Sequence, residues 1–117
     1  MEILIVDDNR DICEMMEVIL ESEGFDVGSC SEPCKAESIV REKRPKLIIT
    51  DLLMGSMNGR ELCTQLRQIE TPKPLKIMMM SAHPDGAAAS KKAGADVFMP
   101  KPFEIDELTE KISELLK

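Results

Sequence analysis

The stretch Leu47-Ile48-Ile49-Thr50-Asp51-Leu52-Leu53-Met54 sets three aliphatic residues almost directly against an acid, and it decides the fold. A half-exposed strand alternates apolar with polar side chains, whereas a strand covered on both faces is apolar at consecutive positions. The same pattern recurs on either side. Ile3-Leu4-Ile5-Val6 runs into Asp7-Asp8, Ile77-Met78-Met79-Met80 runs into Ser81, and Val97-Phe98-Met99 stands just before Pro100-Lys101. A fifth run, Phe25 to Cys30, alternates more and is expected nearer a sheet edge.

Helix-period segments lie between these runs. Ile12, Met15, Met16 and Ile19 mark one apolar face, Leu62, Leu66 and Ile69 a second, and Ile105, Leu108, Ile112 and Leu115 a third, the last after acidic Glu104, Asp106 and Glu107. Asn58 with Glu61 reads as a capping box, Pro33 and Pro84 as helix starts, and Gly24 and Gly94 as stops. A short Ala-rich helix is expected around 87–93. Five strands alternating with five helices predict an α/β domain, a doubly wound parallel sheet with helices on both faces.

The 117 residues suit one domain, expected to span 1–117. Aromatics are 3% and methionines nine, so aliphatic side chains and thioethers must fill the core. A net charge of −7 opposes direct binding to nucleic acid, which draws on Lys and Arg. No signal-peptide pattern or bilayer-length apolar run is present, and with four cysteines the chain is expected to be reduced and cytoplasmic. Cys30 and Cys34 are four apart, not a CxxC pair, and with Cys13 and Cys63 they read as buried hydrophobes or bystanders rather than zinc ligands.

Open parallel sheets bind ligands beyond the carboxyl ends of their strands. Read there, the chain offers Asp7, Asp8, Asp51, Ser81 and Lys101. Three carboxylates repel, raising at least one pKa, unless a hard cation joins them; acids without His or Cys point to Mg²⁺. An ammonium and a hydroxyl would complete a shell around phosphoryl oxygens, so the set reads as phosphoryl transfer to a carboxylate. Singly each residue is ordinary: Asp8 reads equally well as a helix N-cap, Ser81 as a turn residue, Lys101 as a loop lysine and Phe98 as core. His83, at the mouth of the site, reads as a bystander.

Taken together, Ile5-Val6-Asp7-Asp8-Asn9, Ile49-Thr50-Asp51-Leu52-Leu53-Met54, Met57-Asn58-Gly59, Met80-Ser81-Ala82, Gly94-Ala95 and Lys101-Pro102-Phe103 resemble the receiver domains of two-component response regulators along essentially the whole chain. The resemblance implies a flavodoxin-like sheet of order 2-1-3-4-5. It implies Asp51 as phosphoacceptor, and Asp8 with Asp51 and the Leu53 backbone carbonyl as Mg²⁺ ligands, Asp7 acting through water. It implies Lys101 as the phosphate contact after a cis bond to Pro102, and Ser81 with Phe98 as the switch. The donor would be a sensor histidine kinase or histidine phosphotransfer protein. The readout would be the surface of the fourth helix, fifth strand and fifth helix, addressed to an output protein or a C-terminal output domain. The domain would catalyse its own phosphorylation and dephosphorylation without being a conventional enzyme. One departure stands out: receivers usually carry Pro four residues after the acceptor, where this chain has Gly55 followed by Ser56.

Three rivals fit less well. An aspartyl-phosphate phosphatase would want a second acid where Leu53 stands. A flavin binder would want a Ser/Thr/Gly-rich loop where Asp7-Asp8-Asn9-Arg10 stands. A receiver that is never phosphorylated would not need an intact acidic site.

Overall fold

The computed structural model describes residues 1–55, 57–72 and 74–117. Strands β1 (Ile3–Val6), β2 (Val27–Cys30), β3 (Leu47–Asp51), β4 (Lys76–Ser81) and β5 (Val97–Pro100) alternate with helices α1 (Arg10–Ser22), α2 (Ala36–Lys43), α3 (Gly59–Arg67), α4 (Gly86–Ala93) and α5 (Ile105–Leu116). The sheet is parallel in the order β2-β1-β3-β4-β5. The expected order and element number therefore hold, and the more alternating β2 is an edge strand.

The two faces of the sheet build two cores. Leu4, Val6, Ile48, Ile77 and Met79 face α2, α3 and α4, while Ile3, Ile5, Ile49, Met78 and Met80 face α1 and α5. Consecutive apolar residues in β1, β3 and β4 thus divide between opposite cores, as covered central strands require. Leu62, Leu66 and Ile69 are buried as their spacing predicts.

The expected face of α1 needs correction. Met15 is 53% exposed, and Cys13 and Leu20 join Met16 in the core instead. At 100° per residue, the stripe through 12, 13, 16, 19 and 20 points at the sheet and leaves Met15 on its outer margin. On α5, Leu108 and Ile112 are buried, but Ile105, the helix's first residue, is 44% exposed. Pro33 opens a 3-10 turn (Pro33–Lys35) leading into α2, and Pro84 lies two residues ahead of α4. Gly24 and Gly94 adopt φ of +94° and +96°, left-handed conformations suited to glycine at helix ends. Asn58 caps α3, accepting from Glu61 N at 2.9 Å, and its Nδ2 meets Glu61 Oε1 at 3.1 Å. Cys13, Cys30 and Cys63 are buried and Cys34 is exposed, all as free thiols. Burial pushes the three interior thiols up in pKa.

At the amino end of the sheet, away from the acidic residues, Arg67 closes α3 onto its neighbours. It donates to the carbonyls of Gly94 and Leu75 and pairs with Asp96 at 2.6 Å. Asp96 in turn accepts from Ile77 N at 2.8 Å.

Candidate functional site

Because β1 and β3 are neighbours in register, with Val6 opposite Thr50, the residues after their ends are brought side by side. Asp7 is buried. Its Oδ1 accepts from Asn9 N at 2.9 Å, but among the described residues Oδ2 has no partner. Its pKa is raised, first by burial and then by the charges of Asp51 and Asp8, while the Asn9 N–H and the Lys101 charge oppose the rise. The expected raised carboxylate is therefore Asp7, and its main cause is lost hydration rather than crowding among acids.

Asp8 is exposed, and its Oδ2 accepts a hydrogen bond from Gly55 N at 2.5 Å. The reading of Asp8 as N-cap is overturned: Asn9 caps α1, accepting from Asp11 N at 2.9 Å and Ile12 N at 3.2 Å. That leaves the Asp8 carboxylate outside the helix hydrogen-bond ladder.

Asp51 is the last residue of β3. Its Oδ2 lies 2.9 Å from Lys101 Nζ, and its Oδ1 faces Leu53 N at 3.4 Å. Lys101 is held from behind, its backbone N donating to Ser81 O at 2.9 Å, and the Lys101-Pro102 bond is cis as expected. β4 and β5 are adjacent, so Ser81 and Lys101 reach the same end of the sheet.

Ser81 is buried, with Oγ accepting from His83 N at 2.9 Å, which leaves its own O–H proton available to donate. Phe98 is half-buried. A Cβ on Gly86 would lie 2.8 Å from Phe98 Cζ and 3.1 Å from Ser81 Cβ, so the ring sits against the start of α4 beside Ser81 in space that only glycine leaves. His83 is exposed, and its Nδ1 accepts from Asp85 N at 3.1 Å. With Leu53, Arg60 and Asp85 it lines a cleft of about 250 Å³.

The residues fit a divalent cation. Asp7 Oδ2 is a buried carboxyl oxygen with no donor among the described residues, and an uncompensated buried charge there would be costly. Among the described residues no three acidic, His or Cys side chains converge into a closed cage. Mg²⁺ does not need one, because it takes one or two carboxylates and keeps several waters.

The sequence names Asp7, Asp8, Asp51, Ser81 and Lys101 as candidates, and the structure brings them to one end of the sheet. Sequence reasoning missed the Gly55 N–H, the Asn9 cap and the Gly86 notch. Asn at a helix start was a readable signal; a backbone donor and a missing Cβ carry none. Of the departure at Gly55-Ser56, Ser56 lies outside the described residues.

The family model of the response regulator receiver domain matches residues 3–113. The DNA-binding response regulator MtrA of Mycobacterium tuberculosis is 34% identical over 117 residues, covering 98% of this chain and 50% of the relative. The response regulator MprA of Mycobacterium leprae is 32% identical, covering 100% of this chain and 51% of the relative. The chain thus spans about half the length of these curated relatives. A putative response regulator from Chloroflexus aurantiacus superposes with a TM-score of 0.87 at 34% identity, over 97% of this chain and 95% of that one. Vibrio cholerae chemotaxis protein CheY4 superposes with a TM-score of 0.87 at 26% identity, over 97% and 96%.

Proposed function

The chain belongs to the response regulator receiver domain family of two-component signalling, whose members accept phosphoryl groups on an aspartate, and on that premise we propose that Asp51 is the acceptor. The observation that carries this is the Asp51–Lys101 pair at 2.9 Å beside the unpartnered, buried Asp7 oxygen. It supports reading Asp51 as the nucleophile, Lys101 as a held ammonium and the neighbouring carboxylates as a site for a cation. Asp8, Asp51 and the Leu53 carbonyl would hold Mg²⁺, with Asp7 acting through water. When bound, the ion supplies charge neutralisation and alignment for the phosphoryl group.

The rest is chemistry of the chain's own groups. An Asp51 oxygen attacks phosphorus of a phosphohistidine on a sensor kinase or phosphotransfer protein. The P–N bond breaks, and the imidazole leaves with the bonding pair and takes up a proton. Lys101 offsets charge on the phosphoryl oxygens. The Ser81 hydroxyl donates to one of them, and Phe98 carries the change to the surface of α4, β5 and α5. The domain, taken as residues 1–117, catalyses this transfer and the later hydrolysis of its acyl phosphate. The longer relatives support an output partner or a C-terminal output domain. Among the described residues no helix is long and apolar enough to cross a membrane, and we place the domain in the cytoplasm.

Intact mass after incubation with acetyl phosphate and Mg²⁺ tests the assignment. The parent should gain one labile phosphoryl group and Asp51→Asn none. Equal labelling of both would reject Asp51.

A further inference from the structure

We infer that the backbone N–H of Gly55 is a positioning donor for the metal site, holding the Asp8 carboxylate by Oδ2 so that Oδ1 faces a divalent cation unencumbered. The inference rests on the reading of Asp8 as a ligand given above. Among the described residues, Gly55 N→Asp8 Oδ2 is the single hydrogen bond of the Asp8 side chain. It spans 47 positions of sequence and ties the loop after β3 to the end of β1. Asp8 is exposed, so without that donor its side chain would sample several rotamers and pay to be ordered on binding. A ligating carboxylate held by a hydrogen bond to its other oxygen is a common way of orienting a metal site.

Gly55 is suited to this on two counts. Proline, usual at this position in the family the chain resembles, has no N–H to give. A Cβ here would lie 3.1 Å from Asp8 Oδ2, tight against the carboxylate. The same loop presents Leu53, whose carbonyl is another proposed ligand, so one bond ties together two of the three ligands, from different strand ends.

Amide spectra of ¹⁵N-labelled parent, Gly55→Pro and Gly55→Ala, titrated with MgCl₂, test this without reference to phosphorylation. In the parent, Mg²⁺ should shift the Asp8 and Asp51 amides, and the Gly55 amide should stay protected from solvent exchange with and without the metal. Gly55→Pro should bind Mg²⁺ roughly 10- to 100-fold more weakly. Gly55→Ala, which keeps the N–H but asks the exposed Asp8 carboxylate to give by a few tenths of an ångström, should fall between the parent and Gly55→Pro. If a folded Gly55→Pro binds as tightly as the parent, or the parent's Gly55 amide loses protection as the metal binds, the N–H competes with the ion or is idle and the inference fails. Should Gly55→Pro not fold, the protection measurement on the parent decides alone. Asp8 and Asp51 amides indifferent to Mg²⁺ would overturn the metal reading itself, and this inference with it.

Discussion

Substituting Asp7 by Asn should stabilise the metal-free protein near neutral pH. Asp7 is 3% exposed, and among the described residues Oδ2 has no partner. An unsatisfied buried polar atom costs about 1–3 kcal/mol, more when charged. Asparagine keeps the oxygen that accepts from Asn9 N and removes the charge, but its NH₂ also lacks a ready acceptor, so a net gain of about 1 kcal/mol is expected. For a domain of this size that is roughly 4 °C in Tm.

The raised Asp7 pKa sets the pH dependence. The folded state retains a proton that the unfolded chain, titrating near about 3.9, has released, so parent stability falls as pH rises from there through the folded value and levels off above it. The advantage of Asp7→Asn should vanish below about pH 4 and grow to its full value through that window. Mg²⁺ at about a hundredfold the parent's Kd adds roughly 2.7 kcal/mol to the parent and less to Asp7→Asn, which keeps the direct ligands but loses the contact through water, so the gap between the two proteins should narrow. Melting curves in EDTA and in Mg²⁺, from pH 4 to 8, check this. A metal-free Asp7→Asn that melts several degrees below the parent, or a difference that ignores pH, refutes the reasoning. By the same logic Asp51→Asn, which simple crowding of acids would make stabilising, should gain less, because it breaks the pair with Lys101.

Lys101→Ala should slow phosphorylation by acetyl phosphate by about 10²-fold, read by intact mass against time, since it removes the fixed positive charge at the reacting oxygens. Arg67→Ala should lower stability by about 2 kcal/mol in urea unfolding, through loss of charge-assisted bonds to Gly94, Leu75 and Asp96, with labelling of Asp51 intact. Gly86→Ala should change Tm little, since helix propensity offsets crowding, yet should displace the Phe98 ring. Loss of nuclear Overhauser contacts between Phe98 and Ser81, with weaker amide shifts in α4 and β5 on adding beryllofluoride, would register the displacement, and unchanged contacts would rule it out.

Periodicity made the central part of the fold readable from residue order. Ile3 to Val6, Leu47 to Ile49 and Ile77 to Met80 are apolar at every position, and only strands covered on both faces bury such runs, so central parallel strands and flanking helices were legible. Asp51 and Ser81 were legible as candidates because they follow such runs, and strand ends share one edge of a parallel sheet. The strand order came from resemblance, since no local pattern states which strands pair. The remaining features depend on how the elements pack. Met15 and Cys13 are both compatible with an apolar stripe on α1, and only the placement of the helix on the sheet turned Cys13 inward and Met15 out. Asp7 and Asp8 are identical and adjacent, yet opposite side-chain directions at the end of β1 bury one without a full set of partners and expose the other to the Gly55 N–H. A donor 47 residues away on the main chain leaves no trace in residue type, because every residue except proline carries the same N–H and only the fold aims it.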